Sequence, residues 1–182
     1  MSFRVLFDAN AVFGALQRSI LVRVGQHQVE FHLRVFLTEE ILDEMVTAVS
    51  EKYSDFTAEQ GASLKAAMID AIPDCLLTDF APAMDTAEIS DPKDKHVLAA
   101  AIHGRVQVIV TDDQDFDASS LGPHSIESQY PDDFLTDLFD LNEAAMRQIV
   151  GEEASARGET VDAVVELLEQ RGLIRLAQHL RR

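Results

Sequence analysis

The chain has 182 residues, 47% of them apolar and 26% charged, with a formal net charge of −17; this suits one sizeable packed domain, alone or with an appendage, and excludes wholesale disorder. No apolar run approaches a membrane span, the opening MSFRVLF lacks the features of a secretory signal, and the lone Cys75 excludes an internal disulfide or a cysteine-built zinc cage, so a cytoplasmic protein with no membrane segment is expected. So large a negative charge disfavours nonspecific nucleic-acid binding and favours cations or a basic protein segment as partners, although solubility or coding bias accounts for it equally well.

FRVLFD, residues 3–8, is the first predicted strand, and AVFGALQRSILVRV, 11–24, a helix that Gly14 weakens. EFHLRVFLT, 30–38, alternates as a short second strand. Thr38 then reads as a helix N-cap, with Glu39 and Glu40 in the first turn, where the helix dipole favours acids. Ile41, Leu42, Met45, Val46 and Val49 follow at helical spacing. A further helix is expected over 57–71 and a third strand over 74–80. In ISDPKDKHVLAAAIHG, 89–104, Asp91 is the N-cap, Pro92 opens the helix, Asp94 is its third residue and Gly104 ends it. VQVIVT, 106–111, is a buried-type strand.

Beyond about residue 131 strand signals stop. Short helical stretches follow, such as VDAVVELLEQRG (161–172), with Val161, Val164, Val165 and Leu168 on one face. Helices alternating with strands predict a parallel sheet covered on both faces. The last ~50 residues are too few for an independent core and are expected to pack on the sheet domain or on another chain.

Ligands gather beyond the carboxyl ends of parallel strands, and acids are concentrated there. Asp8 closes the first strand, Asp94 opens the helix before the last one, and Asp112, Asp113 and Asp115 follow that strand. A fourth acid, Glu40 or Glu44, comes from the helix after the second strand; periodicity does not choose between them. Carboxylates this dense repel one another unless a cation neutralises them. Mg²⁺ or Mn²⁺ fits, as a hard ion that takes oxygen ligands and serves phosphodiester displacement.

Other chemistries fit less well. Asn10 stands where a haloacid dehalogenase-type phosphatase needs a second Asp, and there is no G-x-S-x-G, GxxxxGK[ST] or GxGxxG. His96 and His103 are seven apart on one helix, so His96 is expected to be packed or hydrogen-bonded rather than a ligand. Cys75 lies in an apolar run as inert core.

VLFDANAVFGAL, TEEILDEM, DPKDKHVLAAAI and VIVTDDQDF, in this order, resemble the PIN domain of metal-dependent ribonucleases, many of which are VapC-type toxins of bacterial toxin–antitoxin pairs. The segment from YPDDFL onward is similar to a helical extension in one VapC-like subgroup. The resemblance implies an α/β fold: a PIN-like three-layer sandwich with a central parallel sheet over residues 1–130, and a C-terminal helical extension over 131–182. It implies Asp8, Glu44, Asp94 and Asp113 as catalytic acids, metal at Asp8, Asp94, Asp113 and Asp115, and Asn10, Thr111 and Asp112 in support, with Asp112 open as an alternative to Asp113.

The same resemblance implies one or two Mg²⁺ or Mn²⁺ ions and hydrolysis of single-stranded RNA by water. It also implies a cognate antitoxin protein that places a basic side chain among the acids, and pairing as a homodimer. The basic path usual in a nuclease is thin: residues 1–130 carry nine Lys and Arg against 21 Asp and Glu. Arg4, Arg18, Arg23, Lys93 and Lys95 are its candidates, and scattered surface charge is the competing account. A non-catalytic PIN-like module that binds a basic partner, and a phosphohydrolase acting on a small phosphoester, are the alternative functions.

Overall fold

A computed structural model describes residues 2–182. Four parallel strands form one sheet in the order β2-β1-β3-β4: β1 Phe3–Phe7, β2 Leu33–Phe36, β3 Val108–Val110 and β4 Glu127–Gln129. Val5 sits opposite both Val35 and Val108, so β1 is central. Val5, Leu6 and Phe7, and Val108, Ile109 and Val110, are all buried. Strands buried on both faces read as continuous apolar runs because helices cover each side. The expected α/β architecture with a central parallel sheet is therefore the architecture of the chain.

After β1, helix α1 (Ala15–Gln26) crosses back to β2 on one side. The chain then passes through α2 (Glu39–Lys52), α3 (Ala58–Ala71) and α4 (Lys95–Gly104) before returning as β3 on the other side of β1. The carboxyl ends of β1 and β3 therefore flank the point where the winding reverses, the place where open parallel sheets bind ligands. The backbone N–H of Asp8 donates to Val110 O at 3.1 Å, which joins the two strand ends.

α2 forms as its sequence dictates. The Thr38 side chain accepts from Ile41 N, and Ile41, Leu42, Met45 and Val49 form the buried stripe. Thr57 caps α3 with a reciprocal bond from Gln60. Other boundaries depart from expectation. α1 starts at Ala15, because residues 9–14 turn sharply and Gly14 is extended. Pro92–Asp94 is a 3₁₀ turn, and α4 proper begins at Lys95. The left-handed residue after α4 is Arg105, at φ 51°, while Gly104 stays helical.

The expected strand at 74–80 is reduced to one parallel bridge, Leu37 to Leu76. Asp74 and Asp79 both take positive φ, which interrupts extended backbone at each end. β4 carries no apolar pattern and joins the sheet edge by backbone pairing alone.

A short helix, α5 (Ala118–Leu121), precedes β4, and α6 (Pro131–Leu141), α7 (Glu143–Arg157), α8 (Val161–Gln170) and α9 (Ile174–Leu180) follow it. These last four helices pack on one another and on the sheet domain of the same chain. Phe134 meets Phe7 edge-to-face at 6.0 Å. Glu153, buried in α7, accepts from Ser19 Oγ at 2.5 Å and from Arg23 Nε at 3.1 Å, both on α1. A buried carboxylate is tolerated when paired in this way. No helix among the described residues is long and apolar enough to cross a membrane.

Candidate metal centre

Asp8 is the first residue past β1 and is buried. Its two oxygens have different partners: Oδ1 accepts from Ala9 N at 2.7 Å and Oδ2 from the Thr111 hydroxyl at 2.8 Å. Thr111 follows β3 and is itself buried. Its hydroxyl oxygen also accepts from Asn10 Nδ2 at 3.1 Å and from Asp113 N at 3.0 Å. Asn10 Oδ1 in turn accepts from Asp112 N at 3.0 Å. One hydroxyl thus ties together the ends of two neighbouring strands and orients two of the acids.

A cavity of about 330 Å³ opens over these strand ends. Asp8, Asn10, Glu44, Asp94 and Asp113 line it, so four acids from four separate segments converge on one space. Glu44, on α2, is half-exposed and lies 3.0 Å from Nε2 of His96. Glu40 is exposed and does not line the cavity, and neither does Asp112. His96 is hydrogen-bonded rather than grouped with other ligand types.

Asp94 stands at the start of α4, where the helix dipole alone favours an ionised carboxylate. Burial and the charges of Asp113, Asp8, Asp91 and Asp115 outweigh the dipole and push its pKa up to about 6. Burial also raises Asp8, opposed by the Thr111 and Ala9 hydrogen bonds and reinforced by Glu44 and Asp113. Desolvation raises Asp112 as well, with a hydrogen bond from Gln17 opposing it. A site that strains its own carboxylates toward protonation favours a bound cation.

Asp94 Oδ2 supplies a second, geometric sign: it is buried with no hydrogen-bond partner among the described residues. An oxygen left unsatisfied costs free energy unless something coordinates it. The donor set, all carboxylate oxygen, suits Mg²⁺ or Mn²⁺ rather than a softer ion.

Asp115, expected at the metal with Asp8, Asp94 and Asp113, lies by Asp94 but outside the cavity. One carboxylate oxygen each from Asp91, Asp94 and Asp115 lie within 4.8 Å of one another, and Asp115 is absent from the cavity wall. Its backbone N–H still donates to Asp113 Oδ1 at 2.9 Å. Asp91 was expected only to cap a helix. It does cap the 3₁₀ turn, accepting from Lys93 N at 2.9 Å, and it also faces Asp94. The DPKD spacing contains the signal, because two acids three residues apart bracket a single tight turn.

The family model described as "PIN domain" matches residues 4–115, and that described as "VapC50 C-terminal domain" matches residues 131–182. A curated protein of Mycobacterium tuberculosis (strain ATCC 25618 / H37Rv), named "Putative ribonuclease VapC50", is similar to this chain at 46% identity over 59 residues. That match covers 32% of this chain and 35% of the relative, about a third of its length. No solved structure matches.

Proposed function

Because the chain belongs to the PIN-domain family, we propose that it is a divalent-metal-dependent endoribonuclease, the VapC-type toxin of a toxin–antitoxin pair, cutting single-stranded RNA. The convergence of Asp8, Glu44, Asp94 and Asp113 on one cavity, at the winding reversal of a parallel sheet, carries this reading. In it, Asp8, Asp94 and Asp113 would hold Mg²⁺ or Mn²⁺, with Asp115 acting through Asp94 and Asp113. Such an ion, when bound, offsets charge on the phosphodiester and activates the attacking water.

The rest of the work belongs to the chain. Thr111 and the Ala9 amide set the plane of the Asp8 carboxylate, so both of its oxygens are oriented before substrate arrives. The Asn10 side-chain oxygen accepts from the Asp112 N–H and the Thr111 hydroxyl from the Asp113 N–H, which together fix the loop that carries Asp113. Glu44, which lines the cavity and is bonded to His96, would accept a proton from a water there. The antitoxin partner is inferred to be a protein with a basic segment, because the acidic cavity and the overall charge of −17 complement one.

The test is cleavage of a pool of single-stranded RNAs with and without added Mg²⁺ or Mn²⁺, by the wild type and by Asp8→Asn and Asp94→Asn. Metal-dependent cleavage lost in both variants, with far-UV circular dichroism unchanged, is the expected result. Cleavage that persists in EDTA, or in both variants, would overturn the assignment. Tight partner binding with no cleavage of any RNA would favour a non-catalytic module instead.

A further inference from the structure

A second cavity, of about 280 Å³, lies beside the acidic one and has the opposite charge. Arg18, Lys52, Arg157 and Arg171 line it, and none of its twelve lining residues is an acid. In a chain with 15 Lys and Arg against 32 Asp and Glu, four cations around one space without a carboxylate are a marked local reversal. Of the cations that the sequence nominated for a nucleic-acid path, only Arg18 is here. Arg4 bonds to Gly104 O, and Arg23 is committed to Glu153 and Glu152.

Each cation has an ordinary reason to be where it is. Lys52 and Arg157 end α2 and α7, and Arg171 follows α8, positions where the helix dipole favours positive charge. Dipoles do not explain why the end of α2 meets those of α7 and α8, more than a hundred residues later, at one cavity. Arg157 is partly neutralised by Glu159 and Glu153. Lys52, Arg171 and Arg18 make no ion pair among the described residues. The Arg18 guanidinium instead donates to the carbonyls of Val12 and Phe13, which orients it without cancelling its charge.

The cavity also offers aromatic faces. Lys52 Nζ lies 5.0 Å from the Phe13 ring centroid and 5.6 Å from that of Tyr53. Phe13 lines both cavities and so bridges the acids and the cations. Alternating cations and aromatic rings beside a cleavage centre match the backbone and bases of a single strand. Resting on the nuclease reading above, we propose that this cavity is the subsite for the nucleotide flanking the scissile phosphodiester. Lys52, Arg171 and Arg18 face its phosphate, and Phe13 and Tyr53 take its base. The C-terminal helices, which supply Arg157 and Arg171, are then part of the substrate site.

The experiment is fluorescence anisotropy of the full chain in EDTA with a fluorescein-labelled single-stranded RNA of randomised sequence, across a salt series. Lys52→Ala/Arg171→Ala is expected to weaken binding on the order of tenfold and to make the salt slope shallower by roughly 1.4, the value for two lost phosphate contacts. Tyr53→Ala is expected to weaken it roughly fivefold or more through lost stacking. Arg34→Ala/Arg105→Ala, with the same change in charge at residues that do not line the cavity, serves as the control.

Equal weakening by the control, or none in the cavity variants, overturns the proposal. Tighter binding of a polyglutamate peptide than of RNA also overturns it, by assigning the cavity to an acidic protein segment. A wild type that binds RNA through Lys52 and Arg171 yet never cleaves keeps the subsite and rejects the nuclease reading. Cleavage by the double variant at unchanged KM does the reverse.

Discussion

Nε2 of His96 lies 3.0 Å from Oε1 of Glu44, linking the helix after β2 to the helix that Asp94 opens. Glu44 is otherwise half-exposed on a helix surface, free to sample several rotamers. With its proton on Nε2 the ring donates to Glu44 and leaves Nδ1 a buried acceptor without a partner. A group that orients an acid in this way typically matters 10- to 100-fold. His96→Ala is therefore expected to retain the fold while lowering kcat/KM for RNA by roughly tenfold. Cleavage assayed against Mn²⁺ concentration checks it, and an unchanged rate at every concentration would show that Glu44 needs no such support.

Asp94→Asn should make the metal-free protein more stable at neutral pH even as it removes cleavage. A carboxyl whose folded pKa is raised to about 6 from 3.8 favours the folded state when protonated. Its contribution is complete below 3.8 and is lost as pH rises through about 6. After discounting for the group's partial exposure, the gain from Asn at pH 7.5 is about 1 kcal/mol, or roughly 2–4 °C in Tm. Melts in EDTA at pH 4.5 and 7.5 test this: the variant's advantage should be clearly larger at the higher pH, because the penalty on the wild-type carboxylate builds up between 3.8 and about 6. A variant less stable than wild type at pH 7.5 would contradict the electrostatic account.

Thr111→Val keeps the side-chain shape and removes the hydroxyl that joins Asp8, Asn10 and Asp113. The amide of Asn10 and the backbone N–H of Asp113 then lose an acceptor, at a cost of about 1–3 kcal/mol. Urea unfolding should show that loss, with cleavage falling in parallel. Thr111→Ser, which restores the hydroxyl, should recover most of both; failure of Ser to do so would point to packing rather than hydrogen bonding.

Gly25→Ala is expected to destabilise the protein, although alanine is the better helix former by about 1 kcal/mol. A Cβ at Gly25 would meet three side-chain atoms of buried Ile72 at 2.7, 2.8 and 2.9 Å. Overpacking costs about 1–3 kcal/mol and outweighs propensity here. In a double-mutant cycle with Ile72→Ala, the paired variant should lose less than the sum of the singles, and strict additivity would argue against the clash.

The sequence was most legible where local chemistry and tertiary role agree. Thr38, Glu39 and the stripe Ile41, Leu42, Met45 and Val49 specify α2 at every level, and the structure follows them. Glu44 differs: its helical position is plain, but its choice over Glu40 depends on which way α2 faces the sheet, a long-range fact. β4 was invisible because Glu127, Ser128 and Gln129 pair through backbone and bury no apolar face. The basic cavity was hidden for a related reason. Lys52, Arg157 and Arg171 lie more than a hundred residues apart at the extremes, and nothing local distinguishes them from helix-end charges.

The strand order also has a consequence for synthesis. β1 emerges from the ribosome first, yet its neighbour β3 is made about a hundred residues later. A nascent chain that stops short of Val108 already carries Asp8, Glu44 and Asp94 but lacks Thr111 to orient the first of them and Asp113 to close the wall. The cavity can exist only after that strand inserts beside β1, and its basic neighbour only after Arg171 has followed. Whatever these acids do must therefore wait, by topology alone, until the chain has been made past Asp113.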